Sequence, residues 1–398
     1  MARKLKSDRI LFLTTILLVA VSIVMVYSAS AVMADDRYSQ PYFFLIKQLT
    51  WATLGVALLW IVMRIDYRLY REPVFIWSCF GVVFVALIAV LFAPKIAGAR
   101  RWFSIGGLGI QPSELAKLST IVFIAALLER RRHRINDLTY ALAPISMLVA
   151  VFVGLILLEP DFGTAMSLAL IAAVMVFAAG VSYVYIAGAL LTTLPLVAML
   201  VIAFPYRRAR LMAFLNPWED PFGSGFQIIQ SLVAVGTGGI TGRGLMNGVQ
   251  KLFYLPAAHN DFIFAVIAEE LGFIGASCML ACFCVLTWRG LRIALQAPDA
   301  FGAFLALGLT AMVAVQAFIN MSVVLGILPT KGIPLPFISY GGSSLVPTLA
   351  AVGILLNISQ YAGRGRTAHD DDYEEDWQPS RSARRKRPVR QRAVARAR

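Results

Sequence analysis

Ten stretches of mostly apolar residues, each near the length a helix needs to cross a bilayer, constrain this chain more than any other feature. They run approximately 10–32, 42–63, 73–93, 113–129, 141–158, 162–180, 183–204, 262–287, 301–326 and 338–361. About 20 apolar residues cover roughly 30 Å of hydrocarbon as a helix, and a helix bonds its own backbone groups where lipid offers no partner. Of the 398 residues, 59% are hydrophobic and 15% charged, against about 45–50% and 25% in soluble domains. The expected fold class is an all-α polytopic membrane protein with ten transmembrane helices and a large extracytoplasmic loop between spans 7 and 8.

An even number of spans puts both termini on one side, and Lys and Arg in the short loops select that side. A cytoplasmic N-terminus places inside Arg3, Lys4, Lys6 and Arg9, then Arg64, Arg68 and Arg71, then Arg130, Arg131, Arg132 and Arg134, then Arg289 and Arg292. Lys95, Arg100, Arg101, Arg207, Arg208, Arg210, Arg243 and Lys251 then fall outside and need another reason. The first stretch is too long for a secretory h-region and no small-residue cleavage site follows it, so it reads as a retained span. Cys79, Cys278, Cys282 and Cys284 all lie within spans, and His133, His259 and His369 stand far apart, so no metal-ligand spacing is present.

The formal charge of +14 owes much to the residues after Arg364, where the acidic block Asp370 to Asp376 precedes Arg384-Arg-Lys-Arg387 with almost nothing apolar to bury. The expectation is a membrane domain over 1–363 and a disordered, charged cytoplasmic tail over 364–398. Positive charge in this arrangement fits an anionic inner leaflet rather than nucleic acid.

Two external loops have substance. One, 94–112, carries Arg100-Arg-Trp102; the other, about 205–261, opens with Pro205-Tyr-Arg-Arg-Ala-Arg210 and is too aromatic and apolar for a linker. Within it Gln227 to Val235 has the pattern of a short amphipathic helix. The run Gly236 to Gly244 either cradles an anion with its amides or serves as a connector.

Asp261 stands at the mouth of an apolar helix, where a carboxylate can meet a headgroup and still reach water. As the last polar residue before Phe262 it is also a candidate helix N-cap. Ala265, Ala268 and Gly272 follow it on nearly one helical face, and small residues there predict a groove. Glu269 and Glu270 lie about 12–14 Å further along the helix. Acids at such depth face the bundle interior or a wet cavity, so they read as internal hydrogen-bonding groups first and substrate contacts second. Glu114 and Lys117, three apart on one helix, form either a local ion pair or a lysine held ready for phosphate. Asp161 sits in a tight external turn that turn chemistry alone explains. Leu328 to Ser344 combines prolines with small hydroxyl residues, so unwound backbone is expected there, in a place where protein satisfies it.

These motifs resemble the SEDS family, the shape, elongation, division and sporulation proteins. The matching segments are Gly98-Ala-Arg-Arg-Trp102, Gln111-Pro-Ser-Glu-Leu-Ala-Lys117, Glu159-Pro-Asp-Phe-Gly-Thr164, Asn216-Pro-Trp-Glu-Asp-Pro221, His259-Asn-Asp-Phe-Ile-Phe-Ala-Val-Ile-Ala-Glu-Glu-Leu-Gly272 and Ile338-Ser-Tyr-Gly-Gly-Ser-Ser344, in family order. Asn216 to Gly225 and Leu328-Pro-Thr-Lys-Gly332 are closer to the division branch than to the elongation branch.

The resemblance implies a peptidoglycan glycosyltransferase that polymerises lipid II into β-1,4 glycan strands outside the bacterial inner membrane, at the division septum. A lipid II flippase and an elongation-type polymerase are the alternatives. It implies a class B penicillin-binding protein of the FtsI type and other divisome proteins as partners. Carried over by position, Asp261 is the catalytic aspartate. Expected substrate contacts are Arg101, Glu114, Lys117, Asp161, Arg243, Lys251, His259 and Ser339. Among them, Arg101, Lys117, Arg243 and Lys251 are the candidates to steady a departing diphosphate. No protein-bound metal or cofactor is expected, while a divalent cation, Mg or Mn, assisting the diphosphate stays open.

Overall fold

The computed structural model describes residues 7–95, 99–105 and 108–361. Gly98, the first residues with Arg3, Lys4 and Lys6, and the tail expected to be disordered lie outside the described residues. The helices are α1 (Arg9–Tyr38), α2 (Phe43–Val62), α3 (Pro73–Val90), α4 (Pro112–Arg131), α5 (Ala143–Leu158), α6 (Phe162–Ala178), α7 (Tyr183–Ile202), α8 (Pro205–Leu215), α9 (Phe226–Gly238), α10 (Ile263–Leu295), α11 (Ala300–Val324) and α12 (Gly342–Ser359).

All ten apolar stretches fall on helices. Among the described residues, eight helical segments are long and apolar enough to cross a membrane. The other two stretches are α4, whose 20 residues include Glu114, Lys117 and Glu129, and α6, with 17 residues. The 94–112 loop departs from an all-helical fold, because β1 (Phe103–Ile105) and β2 (Leu108–Ile110) pair antiparallel with Phe103 opposite Ile110.

Local chemistry sets the helix starts. Asp8 accepts from the Leu11 amide at 3.0 Å and Asp299 from Gly302 at 2.7 Å, each filling one of the four amides that a helix start leaves unpaired. Pro73, Pro112 and Pro205 occupy first helical positions, where their missing N–H costs nothing. Where α1 begins, the Asp8 amide donates to Ser359 Oγ at 3.1 Å and Arg289 Nε donates to the Asp8 carboxylate at 2.8 Å. The start of α1 and the ends of α10 and α12 therefore share one end of the bundle. Helices α11 and α12 form the centre, with 67% and 78% of their most apolar windows buried. No residue of α7 is buried, so that helix leans on little besides α8.

The long 205–261 segment is not a simple external loop. After α8, helix α9 runs beside the first turns of α10, and the chain then returns along the same helix to Asp261. Glycines of the returning segment are what let it approach the α10 backbone. A Cβ on Gly238 lies 1.9 Å from the Ala268 carbonyl oxygen, and one on Gly242 lies 2.1 Å from that of Glu270. The groove expected below Asp261 is therefore filled by this chain's own backbone.

At Gly272, with φ 67° and ψ −165°, α10 leaves helical geometry, a conformation open to glycine at little cost. The groups freed by that break are taken up by the glycine-rich turn. Arg243 N donates to Glu269 O at 3.0 Å, Gly244 N to Glu270 O at 2.9 Å, and Phe273 N to Gly239 O at 2.9 Å. The amides of Arg243 and Gly244 are thus engaged by helix carbonyls, which favours the connector over the anion cradle for this run.

Glu269 and Glu270 complete the join and are both fully buried. Glu269 accepts from the amide of Val249 at 2.8 Å and from that of Gln250 at 3.2 Å. Glu270 accepts from Met246 N at 3.2 Å, Ser28 Oγ at 2.7 Å and Lys251 Nζ at 2.6 Å. Buried irregular backbone needs such acceptors, so the internal reading of this pair holds.

Candidate active site

Asp261 precedes α10 but does not cap it. The capping position is Phe262, with no side-chain bond, so the Asp261 carboxylate is not used up by helix geometry. Its main chain, by contrast, is fixed. Three successive carbonyls accept bonds from the segment before α12 and from α11: His259 O from Tyr340 N at 3.0 Å, Asn260 O from Ser339 Oγ at 2.6 Å, and Asp261 O from Asn320 Nδ2 at 2.8 Å. Asn320 also donates to Ile333 O at 2.7 Å, and Ser339 Oγ accepts from Leu335 N at 2.7 Å. The segment 329–341 is unwound, as its prolines predict, and protein groups satisfy it.

The Asp261 carboxylate lies over Gly332, where an added Cβ would come within 2.8 Å of Oδ2. Burial raises its pKa from 3.8 to about 6, the Asp161 charge pushes the same way, and Arg210 and Arg101 oppose. Those opposing charges identify its surroundings.

Asp161 caps α6, accepting from the Thr164 amide at 3.2 Å and its hydroxyl at 2.8 Å, and holds Gln111 Nε2 at 3.0 Å. Arg101 donates Nε to Glu159 O at 3.1 Å and Nη2 to Pro160 O, so it is fixed to the turn that carries Asp161. From the other side come cations that the sequence motifs did not single out as site residues. Lys331 Nζ sits 4.1 Å from the Phe162 ring centroid and 3.1 Å from Met166 Sδ. Arg207 lies 5.3 Å from the same ring, and Arg210 Nη1 donates to Thr330 O at 3.3 Å. Burial first, and then Arg207 and Arg210, lower the Lys331 pKa from 10.5 to about 8. Arg207 and Arg210 were visible in the sequence as positive charge on the wrong face; Lys331 shares that face and stands in the Leu328–Gly332 motif, but its spacing tied it to no site.

The remaining expected contacts divide by location. Glu114 and Lys117 pair at 2.8 Å with both side chains buried, which is the local ion-pair reading. Gln111 links this helix start to Asp161. His259 is buried against Phe44 at 4.9 Å and Tyr340 at 5.7 Å between centroids, and burial with Arg37 lowers its pKa to about 4. A neutral, packed imidazole there supports the loop. Ser339 meets backbone, as described above. Arg243 and Lys251 pair with Glu269 at 3.9 Å and Glu270 at 2.6 Å, so the structure gathers them at the join with α10. Arg101 and Asp161, in contrast, act directly on Asp261.

The family model FTSW_RODA_SPOVE, described as "Cell cycle protein", matches residues 8–364. The chain belongs to this family. SEDS members among its relatives include the "Probable peptidoglycan glycosyltransferase FtsW" of Geobacter metallireducens, 46% identical over 359 residues covering 88% of this chain and 94% of that protein. Another is the "Stage V sporulation protein E" of Bacillus subtilis, 44% identical over 365 residues, 90% of this chain and 99% of that one. A solved structure titled "Structural coordination of polymerization and crosslinking by a peptidoglycan synthase complex" superposes with a TM-score of 0.74 at 32% identity, covering 90% of this chain and 99% of that chain. This SEDS protein therefore shares both motifs and architecture with the family across nearly its whole described length.

Proposed function

We propose that this SEDS protein is a peptidoglycan glycosyltransferase that polymerises lipid II at the outer face of the bacterial inner membrane during septal wall synthesis. The observation that carries the reading is a carboxylate with a fixed main chain and a raised pKa, acted on by Arg101 and Arg210, with Lys331 and Arg207 grouped around Arg210. The acceptor C4 hydroxyl of one sugar gives its proton to Asp261 as its oxygen bonds to C1 of the donor MurNAc. The α-linked C1–O bond to the undecaprenyl diphosphate breaks, the electron pair leaves with the diphosphate, and the new linkage is β. Diphosphate departs readily once its charge is met, so no second acid is required, in contrast to the paired carboxylates of glycosidases. The four cations supply that charge.

Ten membrane spans, both termini in the cytoplasm, and a class B penicillin-binding protein with other divisome proteins as partners complete the reading. The superposed synthase complex, whose title joins polymerization to crosslinking, supports such a partner. Among the described residues no three His, Cys, Asp or Glu side chains come together. A divalent cation assisting the reaction would accompany the diphosphate of the substrate. Transport of lipid II drew on Glu269 and Glu270, whose oxygens are engaged by backbone and Lys251.

The test is Asp261→Asn in purified protein given labelled lipid II and a cognate transpeptidase. Polymerisation should fall roughly 10²–10⁴-fold, the range of general-base effects, with lipid II binding largely kept. A normal rate refutes the assignment.

A further inference from the structure

Glu159 lies two residues before Asp161, on the turn that holds Arg101, and has no part in the reaction just described. Its side chain is fully buried, and neither carboxyl oxygen has a hydrogen-bond partner among the described residues. An ionised carboxylate left without partners in such a place is strongly disfavoured, so the group stays protonated. The charged groups acting on it are Asp161, at the start of α6, and Arg101, from the segment before β1.

The Arg101 guanidinium is close enough to matter, yet it donates to the main-chain carbonyls of Glu159 and Pro160 rather than to the carboxyl. That choice makes sense only while the acid is neutral. A carboxylate outcompetes a carbonyl for guanidinium N–H groups, since charge-assisted bonds are roughly twice as strong. Resting on the glycosyltransferase reading, we propose that Glu159 is a positioning residue: protonated, it leaves Arg101 on the turn and facing the diphosphate, and ionised, it draws Arg101 away and lowers activity.

Burial, then the Asp161 charge, raise the Glu159 pKa from 4.5 to about 8, with Arg101 opposing. Loss of activity therefore belongs on the alkaline side, as pH rises through about 8. Lys331, also near 8, gives a limb of its own, so the wild-type profile alone does not separate the two.

The experiment compares pH–rate profiles of the purified full chain, with its transpeptidase, for wild type, Glu159→Gln and Glu159→Leu, using labelled lipid II and reading kcat and KM. From about pH 7 to pH 9 the wild type should lose about a hundredfold, tenfold for each of the two groups titrating near 8, the Glu159 share mostly as a rising KM. Either variant that folds should keep only the Lys331 limb, a fall of about tenfold across that range. Variants whose alkaline limbs coincide with the wild type overturn the proposal, as does a wild type with no alkaline limb. Full activity in Asp261→Asn is a separate result and strikes the glycosyltransferase chemistry instead.

Discussion

Replacing Gly238 by alanine tests how the segment before Asp261 is seated on α10. The added Cβ would stand 1.9 Å from the Ala268 carbonyl oxygen, whereas carbon and oxygen rarely approach closer than about 3.3 Å. Either α9 moves off by roughly 1.4 Å or the turn detaches. Overpacking of this kind costs about 1–3 kcal/mol. Detachment removes four main-chain bonds between 239–244 and α10, of 2.9, 2.9, 3.0 and 3.2 Å, at about 1 kcal/mol net each. The expected loss is about 1–4 kcal/mol, a fall in melting temperature of roughly 1–5 °C at about 2.1 cal/mol/K per residue. Gly236, two residues earlier on α9, has nothing within 4 Å of its added Cβ, so Gly236→Ala should be neutral or stabilising by up to about 1 kcal/mol. Thermal melts of both variants in detergent check this. Equal melting of Gly238→Ala and wild type, or equal damage from both substitutions, refutes the close-packed join.

Gly332→Ala brings a methyl within 2.8 Å of Asp261 Oδ2; it should lower kcat about 10–100-fold through displacement of the base while the melting temperature changes little, as initial-rate and melting measurements will show. Asp261 works only when ionised, so with a pKa raised to about 6 the rate should decline as pH falls through that value. Removing Arg210, which holds the pKa down, should move this acid limb upward in Arg210→Leu; an unmoved limb contradicts the assigned contact.

Much of this architecture is legible in the chain because it depends on local pattern. The ten apolar stretches became helices, Glu114 and Lys117 three apart became an ion pair, and the prolines of 328–336 marked unwound backbone. What the sequence leaves unread is which partner fills a given face. Ala265, Ala268 and Gly272 do mark a face with room, but a ligand and a returning stretch of backbone need the same room. Likewise Arg243 and Lys251 are cations near Asp261 in sequence, and only the fold shows Glu269 and Glu270 taking them. Lys331 belongs to the site through a loop 70 residues away from Asp261 along the chain, a distance that no periodicity spans.

The three consecutive carbonyls bound at His259, Asn260 and Asp261 bear on turnover. Immobilising that stretch is completed when the polypeptide first folds, so each sugar addition starts from an already aimed proton acceptor rather than from a search among rotations of the peptide. Exchanging the carboxylate for an amide also leaves its scaffold anchored, so any kinetic change it brings reports on chemistry rather than on a collapsed loop.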